Sequence, residues 1–396
     1  MSVTPLRPIT FDAGFTLSKP VTYLTILSLF SAALYVHVGF DLRIFYFIIL
    51  ICSAVLLLSW NWRLNVYHIL ALAYVWISGI VGIYRGTDTL AMFMSQSAGI
   101  TICSLFFYIF LRQQTVDFKS FFLLYCKVAF FVAWIGIAML PIQAIVIRSV
   151  PRLQSVMLEP AHYATVMFPA AFFYLSQKEF RWKGWLMWVT LVLTGSSVAF
   201  IGIILGIILL NKQSRPKLVL GFILTIVVAL SAYFSIPLVR TRVDDSYNSI
   251  YSMSLTGSNL STFAILSNAY VTFRVLEEHP IFGIGLGGHQ LAHKEYIGDL
   301  PGVEDFEDNI DINAPDANSL LLRTGSELGI FGVALLLFFV FRFYVSGSTP
   351  EAFMSSGIFI YFALKYLRDG HWFSPELYFF AWIYVFLWMD RVARKQ

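Results

Sequence analysis

The segment 184–210, GWLMWVTLVLTGSSVAFIGIILGIILL, contains no charged side chain. Comparable apolar stretches recur along the chain, which is 58% hydrophobic and 13% charged. Soluble domains carry about 25% charged residues. Apolar runs of about 17 to 25 residues are long enough to cross a bilayer as helices. The pattern therefore excludes an ordinary soluble domain and predicts an all-α polytopic integral membrane protein.

Basic residues decide how many times the chain crosses the membrane. The segment 184–210 has basic flanks on both sides, and the positive-inside rule places both flanks in the cytoplasm. We therefore predict two short helices that turn at Thr194–Ser197, about twelve spans in total, and both termini inside. The other predicted spans are 20–38, 42–60, 66–84, 91–111, 121–147, 161–177, 217–236, 325–345, 351–366 and 375–391.

This topology divides the chain into three parts. Residues 1–236 form about nine spans with a small outer loop at 148–160, and residues 325–396 form the C-terminal spans. Between them, residues 237–324 form a large hydrophilic loop, which we expect to carry short helices on the outer side of the membrane. A further outer loop is expected at 367–374. We expect the chemistry of the protein to lie in these outer segments.

Several classes of function are disfavoured by the sequence. The three cysteines, Cys52, Cys103 and Cys126, lie in apolar runs, so neither a disulfide framework nor a metal-binding spacing is present. The net charge of +4 is modest, so we do not expect nucleic acid as a partner. The acidic run 302–316 does not have the spacing of a calcium loop and is expected to be solvated. We expect no metal and no cofactor.

Residues 283–288, GIGLGG, match the glycine pattern of a dinucleotide-binding turn. That pattern binds a nucleotide between a strand and a helix N-terminus. The sequence predicts neither, because the preceding residues have helical spacing up to Pro280. We therefore disfavour nucleotide binding. Clustered glycines can still bring backbone N–H groups close to a phosphate, and a flexible re-entrant turn is the structural alternative.

Three patches of the chain carry a family resemblance: RLQSVMLEPAHYATVMFP at 152–169, RVLEEHPIFGIGLGGH at 274–289 and DANSLLLRTGSELGIFG at 316–332. Their order and spacing resemble the O-antigen polymerase and O-antigen ligase superfamily. In ligase-type members the third patch begins with a histidine that ligases are thought to use, and here that position is Ala317. The EPAHYA stretch that begins at Glu159 is similar to a patch common among polysaccharide polymerases. Both features favour a polymerase.

The resemblance implies a membrane glycosyltransferase that polymerises undecaprenyl-diphosphate-linked oligosaccharide repeat units into O-antigen or a related surface polysaccharide. Donor and acceptor are then both undecaprenyl-diphosphate-linked, and they are joined at the periplasmic face of the bacterial inner membrane. Membrane lipids and a separate chain-length regulator protein are the other implied partners. Two alternatives stay open: an O-antigen ligase that transfers the chain to lipid A-core, and a lipid-linked oligosaccharide flippase. The lack of a convincing internal repeat disfavours a transporter.

A transfer from a lipid diphosphate needs cations that neutralise the leaving group. Guanidinium groups suit this role, because their planar fork makes charge-assisted bonds to phosphate oxygens and keeps its charge. Anchoring to lipid headgroups or pairing with local acids is the structural alternative. The candidates in the outer segments are Arg242, Arg274, Arg152 and Arg240.

The transfer also needs a base for the acceptor hydroxyl, and burial tunes the pKa of such a group. Glu159 is the first candidate, because partial desolvation at the mouth of a span is expected to raise its pKa; an N-cap carboxylate is the structural alternative. His289, directly after the glycines, is the second candidate. Further substrate-site candidates are His162, Gly285, Gly287, Asn318, Glu327 and Arg368.

Overall fold

A computed structural model describes residues 19–31, 35–37, 41–43, 66–87, 89–112, 117–147, 152–211, 233–235, 237–252 and 255–394, and the single positions 49, 219, 223, 226, 227 and 230. Within these residues the chain is helical, apart from an antiparallel pair of three-residue strands, β1 (Tyr35–His37) and β2 (Asp41–Arg43). The predicted helical class is confirmed for this part of the chain.

Thirteen helices are defined within the described residues. They are α1 (Lys19–Ser28), α2 (Val66–Arg85), α3 (Leu90–Leu111), α4 (Phe118–Ile147), α5 (Pro160–Ser176), α6 (Arg181–Leu193), α7 (Ser197–Asn211), α8 (Pro237–Ser252), α9 (Leu260–Glu278), α10 (His289–Tyr296), α11 (Leu320–Arg342), α12 (Pro350–Arg368) and α13 (Pro375–Ala393). Two 3-10 helices, Ile297–Asp299 and Val303–Asn309, lie between α10 and α11.

Four segments of the described chain are long and apolar enough to cross a membrane. They are His68–Arg85, Leu90–Leu111, Phe118–Ile145 and Leu320–Arg342, which correspond to α2, α3, α4 and α11. The chain is therefore an integral membrane protein by the length and composition of its helices. The count of twelve spans and the sides of the loops stay predictions.

Two predicted spans have different outcomes. The charge-free segment 184–210 forms the helices α6 and α7, which are separated at 194–196 as predicted. In the predicted span 20–38, however, α1 ends at Ser28 and Tyr35–His37 is a strand. β-Branched and aromatic residues such as those at 35 and 36 favour extended backbone. Of the predicted span 42–60 only residues 42, 43 and 49 are described, and of the predicted span 217–236 only residues 219, 223, 226, 227, 230 and 233–235 are described.

The predicted hydrophilic loop 237–324 is more helical than expected. It contains α8, α9 and α10, and α9 alone has 19 residues. The helix α11 begins at Leu320, before the predicted start of the next span at 325. As a result, Arg323 belongs to a candidate membrane helix instead of the loop before it.

The chain consists of two compact units. Unit 1 comprises Met1–Trp62, Ile102–Thr194 and Ser374–Gln396, and unit 2 comprises Arg63–Thr101 and Gly195–Phe373. In unit 1, α4 packs against α5, α6 and α13. In unit 2, α9 packs against α11, and α12 packs against α7 and α11.

Candidate functional site

The helix α11 in unit 2 is interrupted at Gly329. The backbone there has φ 69° and ψ −171°, a conformation that glycine adopts without steric cost. The interruption leaves carbonyl groups of α11 without helical partners. The Ser326 carbonyl accepts a hydrogen bond from the Ile284 N–H at 2.9 Å, and the Glu327 carbonyl accepts one from the Gly285 N–H at 3.0 Å. The glycine-rich turn 283–288 therefore completes the hydrogen bonds of the broken helix, as buried backbone requires.

The same turn packs closely against α2. A Cβ atom at Gly82 would lie 2.5 Å from the Ile284 carbonyl oxygen, so this approach requires a glycine. The Ile284 carbonyl also accepts a hydrogen bond from Thr87 Oγ1 at 2.8 Å. Within the turn, Gly285 and Gly287 have φ of 98° and 92°, which explains why glycine occupies both positions. The predicted site residues Gly285 and Gly287 thus shape a packed turn.

One expectation about this turn is wrong. The helix α10 begins at His289, directly after Gly288, although the sequence predicted no helix there. The predicted absence of a preceding strand is confirmed, because α9 precedes the turn. The Gly287 N–H makes its hydrogen bond to the Glu327 carboxylate. The N–H groups that the sequence suggested for a phosphate are therefore occupied by internal acceptors: the Glu327 carboxylate for Gly287, and backbone carbonyls for Ile284 and Gly285.

The predicted site residue Glu327 is fully buried at the centre of an ion-pair cluster in unit 2. We define this cluster as Gln96, Arg323, Glu327 and Trp372. Arg323 Nε donates to Glu327 Oε1 at 2.9 Å, and Trp372 Nε1 donates to Glu327 Oε2 at 3.2 Å. Arg323 Nη2 donates to Gln96 Oε1 at 3.0 Å. Both oxygens of the carboxylate therefore have a hydrogen-bond donor, which is what a charge buried in apolar surroundings requires.

Sequence reasoning missed Arg323, although a signal for it exists. Arg323 and Glu327 are four residues apart, so they lie on the same face of α11 and can form an ion pair. Charges inside an apolar helix are usually paired and usually functional. The predicted boundary at 325 placed Arg323 in the loop, which hid this pairing.

The predicted site residue His289 is fully enclosed. Its Nδ1 lies 2.8 Å from Ser326 Oγ, and its Nε2 lies 2.9 Å from Asn268 Oδ1. The amide of Asn268 donates to a carbonyl of its own helix, so Oδ1 is left to accept and Nε2 carries the proton. Burial, with His293 and Arg323 as further causes, lowers the pKa of His289 to about 3. The imidazole is therefore neutral at physiological pH and has both nitrogens occupied.

The predicted site residue Asn318 lies in the turn that leads into α11. Its N–H donates to Asp316 Oδ1 at 3.0 Å, and its Oδ1 accepts a hydrogen bond from Asn313 Nδ2 at 3.0 Å. Ala317 and Asn318 have φ of 54° and 56°, a left-handed conformation that asparagine tolerates better than alanine. Ser319 then caps α11 by accepting a hydrogen bond from the Leu322 N–H.

The predicted arginines of unit 2 differ from one another in burial and in their partners. Arg274 is half-buried on α9, donates to Glu277 Oε2 at 2.7 Å and lies 5.7 Å from the ring centroid of Tyr296. The neighbouring Glu277 is the main cause that raises the pKa of Arg274. Arg240 is exposed on α8, with its Nε 3.6 Å from Asp244 Oδ2. The side chain of Arg242 lies outside the described residues.

Arg368, the last of the predicted arginines, ends α12 and is half-buried. In the sequence it lies between the two members of an ion pair, Lys365 and Asp369, whose Nζ and Oδ2 atoms are 2.8 Å apart. Lys365 is fully buried, so this pair is a second buried charge pair of unit 2 that sequence reasoning missed. Cations in the last turn of a helix interact favourably with its free carbonyl groups.

Unit 1 holds the remaining three candidates. Arg152 is exposed, and its Nε donates to the Thr194 carbonyl at 3.0 Å, which ties the segment before α5 to the turn after α6. Glu159 stands at the N-cap position of α5, but its side chain is exposed and makes no capping hydrogen bond. The expected desolvation of Glu159 is therefore not found. His162 Nε2 lies 3.0 Å from Oε1 of Glu376, a buried residue that sequence reasoning missed.

Comparison with known proteins agrees with the resemblance at the level of the superfamily. A family model described as O-antigen ligase matches residues 184–337, which is less than half of the chain. No curated protein matches the chain significantly. The matched part contains the glycine turn, Arg323 and Glu327. Together with the four candidate membrane helices, the match supports an integral membrane enzyme of the O-antigen polymerase/ligase type, without separating polymerase from ligase.

Proposed function

We propose that this chain is a glycosyltransferase that polymerises undecaprenyl-diphosphate-linked repeat units at the periplasmic face of the inner membrane. The observation that carries the proposal is at Ala317. Ligase-type relatives have a histidine at the corresponding position, whereas here a methyl group is fully buried on a left-handed backbone. Position 317 therefore supplies no imidazole to an acceptor, which favours a polymerase over a ligase.

The proposed reaction needs two kinds of group. A hydroxyl of the acceptor sugar attacks the anomeric carbon of the donor, and the bond between that carbon and the diphosphate oxygen breaks. Undecaprenyl diphosphate leaves with the bonding electrons, and the hydroxyl proton passes to a base. The leaving diphosphate carries negative charge, so the protein must supply cations that stabilise it. The protein must also supply a base that accepts the proton of the acceptor hydroxyl.

Arg274 is the leading candidate for the diphosphate. Its guanidinium carbon lies over the ring of Tyr296, 5.7 Å from the centroid, and a planar guanidinium fork suits phosphate oxygens. Its partner Glu277 is largely exposed, so a diphosphate can displace this carboxylate from the guanidinium at little cost. Arg240, Arg242 and Arg152 are the further candidates.

Glu159 is the leading candidate for the base. Its carboxylate is exposed at the start of α5 and is not used to cap that helix, so it is open to a hydroxyl. His289 has no nitrogen left for a proton, and we assign it to the positioning of α10 against α9 and α11. In this scheme arginine side chains neutralise the diphosphate, so the reaction requires no metal.

A ligase is the second candidate, because the matching family model itself is described as O-antigen ligase. A lipid-linked oligosaccharide flippase is the third, since interrupted helices with polar groups are also common in transporters. The three functions differ in whether a glycosidic bond forms and in what accepts the sugar chain.

The deciding experiment uses the purified full-length protein with undecaprenyl-diphosphate-linked repeat units, with and without lipid A-core. A polymerase releases undecaprenyl diphosphate and lengthens the lipid-linked chains without lipid A-core. Product that forms only with lipid A-core would establish the ligase. If no glycosidic bond forms while the repeat units cross a liposome bilayer, the chain is a flippase.

Variants test the residue assignments in the same assay. We expect Arg274→Ala and Glu159→Gln each to lower the rate roughly 100-fold, the scale for loss of a charge-stabilising donor or a general base. The matched controls Lys294→Ala and Glu179→Gln remove an exposed charge on α10 and before α6, and should retain the rate. A rate near that of the wild type for Arg274→Ala would refute its role.

A further inference from the structure

Arg85, which sequence reasoning did not select, ends α2 beside the glycine turn. The residue is exposed, and its Nη1 donates to the Gly283 carbonyl at 3.4 Å. Within the described part of the chain, the guanidinium of Arg85 makes no other hydrogen bond. An arginine has five N–H donors, so most of this guanidinium is open to an anion. The turn connects Arg85 to α9, the helix that carries Arg274.

An apolar surface begins at Arg85 and continues along unit 2. The rings of Tyr74 on α2 and Phe331 on α11 are 5.3 Å apart, and those of Phe331 and Phe282 are 6.4 Å apart. Tyr74 Oη also donates to the Leu328 carbonyl at 2.9 Å, which joins α2 to the helix break. Because a helix rises about 1.5 Å per residue, Tyr74 lies roughly 16 Å from Arg85 along α2.

Large apolar side chains are left uncovered on this surface. We define the α2–α11 face as Tyr74, Ile281, Phe282, Ile330 and Phe331. Ile281 is 59% exposed and Ile330 is 58% exposed. The Ile330 N–H donates to the Pro280 carbonyl at 2.9 Å, so the face is held to the glycine turn by backbone hydrogen bonds.

We propose that the α2–α11 face binds the polyprenyl chain of the lipid-linked donor and that Arg85 binds its diphosphate. The assignment rests on the proposed function for the class of the donor, and it adds the surface and a further binding residue. A polyprenyl diphosphate has an anionic head followed by a long apolar chain. The face presents a cation followed by an apolar surface, in the same order, and the cation contacts the end of the turn that follows α9, the helix of Arg274. Charge and apolar character are therefore complementary between this face and the diphosphate with the adjoining part of the polyprenyl chain.

A binding measurement tests the role of Arg85. The full-length protein in detergent micelles is titrated with undecaprenyl diphosphate and, separately, with phosphatidylglycerol, and bound lipid is counted by native mass spectrometry. We expect Arg85→Ala to weaken undecaprenyl diphosphate binding at least about tenfold, the effect of losing a charge-assisted hydrogen bond. Arg85→Lys keeps the charge without the fork, and should weaken binding less. Arg112→Ala, which removes an exposed arginine directly after α3, is the matched control.

A second pair of variants tests the apolar face. Replacing Ile281 and Ile330 together by serine should reduce the preference of the protein for undecaprenyl diphosphate over inorganic diphosphate, which has the charge without the apolar chain. Replacing Val189 and Val192, which are exposed on α6 of unit 1, by serine adds the same polarity elsewhere and should leave that preference unchanged. Melting temperatures of all variants show whether each one is folded.

The outcomes separate this proposal from the proposed function. Wild-type protein that fails to bind undecaprenyl diphosphate would refute the donor class, and with it the proposed function. Wild-type binding that Arg85→Ala leaves unchanged would overturn the Arg85 assignment alone. Equal loss of phosphatidylglycerol and undecaprenyl diphosphate binding in Arg85→Ala would show a site for lipid headgroups in general, which also overturns the proposal.

Discussion

The ion pair between Arg323 and Glu327 is the residue-scale feature that most needs a physical explanation. Both side chains are nearly inaccessible, at 3% and 0% exposure, inside a candidate membrane helix. Removing charges from water costs several kcal/mol per ion, and the attraction between them offsets this cost only with good geometry and further hydrogen bonds. The Gly287 N–H, Trp372 and Gln96 supply those hydrogen bonds. The pair therefore makes the position of the glycine turn depend on a charge.

This reasoning predicts how substitutions of the pair combine. Arg323→Met or Glu327→Met alone leaves one buried charge uncompensated and should lower stability by about 3–5 kcal/mol. The double variant removes both charges and should regain much of that loss. Thermal unfolding in detergent measures the effect, with Arg394→Met, which breaks an exposed pair with Asp390, as the control. If the double variant is as unstable as the sum of the two single variants, the pair does not act as a unit.

His289 predicts a pH dependence of stability. Its pKa is about 3 in the folded chain, whereas an unfolded histidine takes up its proton near 6.5. Below pH 6.5 the unfolded state therefore binds more protons than the folded state, so stability falls as the pH falls, by up to about 1.4 kcal/mol per pH unit. His289→Gln should flatten the decline in melting temperature between pH 7 and pH 5. His279→Gln removes a partly exposed imidazole as the control, and an unchanged slope in His289→Gln would contradict the prediction.

At the scale of elements, three segments of unit 2 depend on one another. The break in α11 exposes carbonyl groups, the glycine turn supplies the N–H groups for them, and α2 supports the turn from the other side. Irregular backbone at membrane depth is tolerated only where protein or water satisfies it. The glycine turn and the break in α11 therefore depend on each other for their backbone hydrogen bonds.

A glycine variant on α2 tests this dependence. In Gly82→Ala the new methyl group would meet the Ile284 carbonyl oxygen at 2.5 Å, so the turn must move away from α2. We expect a loss of about 1–3 kcal/mol, the usual cost of overpacking, together with weaker binding of undecaprenyl diphosphate. Gly298→Ala meets no atom within 4 Å and serves as the control. Equal melting temperatures for the two variants would mean that the contact between α2 and the turn is loose.

For the molecule as a whole, the proposed function depends on which side of the membrane each loop faces. The basic residues at 178–183 predict a cytoplasmic position for the turn between α5 and α6, and the parity of the spans then places α10 outside. The catalytic assignments depend on this arrangement, because the lipid-linked donor of the proposed reaction is used at the periplasmic face.

Cysteine labelling tests the predicted sides. Glu179→Cys and Glu295→Cys each place a thiol at an exposed position, in a background where Cys52, Cys103 and Cys126 are replaced by alanine. A membrane-impermeant maleimide should label position 295 in intact spheroplasts and position 179 only after permeabilisation. The background without an added cysteine gives the unspecific signal. The opposite labelling pattern would invert the topology and remove the proposed site from the periplasm.

The two buried cysteines also illustrate how much of the fold was predictable. Cys103 and Cys126 are free and buried, as their apolar neighbours indicated. The long helices α3 and α4 begin and end within a few residues of the predicted spans, because a bilayer requires uninterrupted apolar runs that are visible in the sequence. By contrast, β1 lies in a predicted span, because a short apolar run does not distinguish a helix from a strand.

The amino-acid sequence alone determined that the chain is a helical membrane protein, that 184–210 forms two helices and that the family motifs surround a glycine turn. These properties depend on local hydrophobicity, charge and backbone freedom. The tertiary structure decided the partners of the buried polar and charged side chains: Arg323 with Glu327, His162 with Glu376, and His289 with Asn268 and Ser326. Such pairings join residues on different turns and helices, and the cost of burying a charge is set by the surroundings that folding creates.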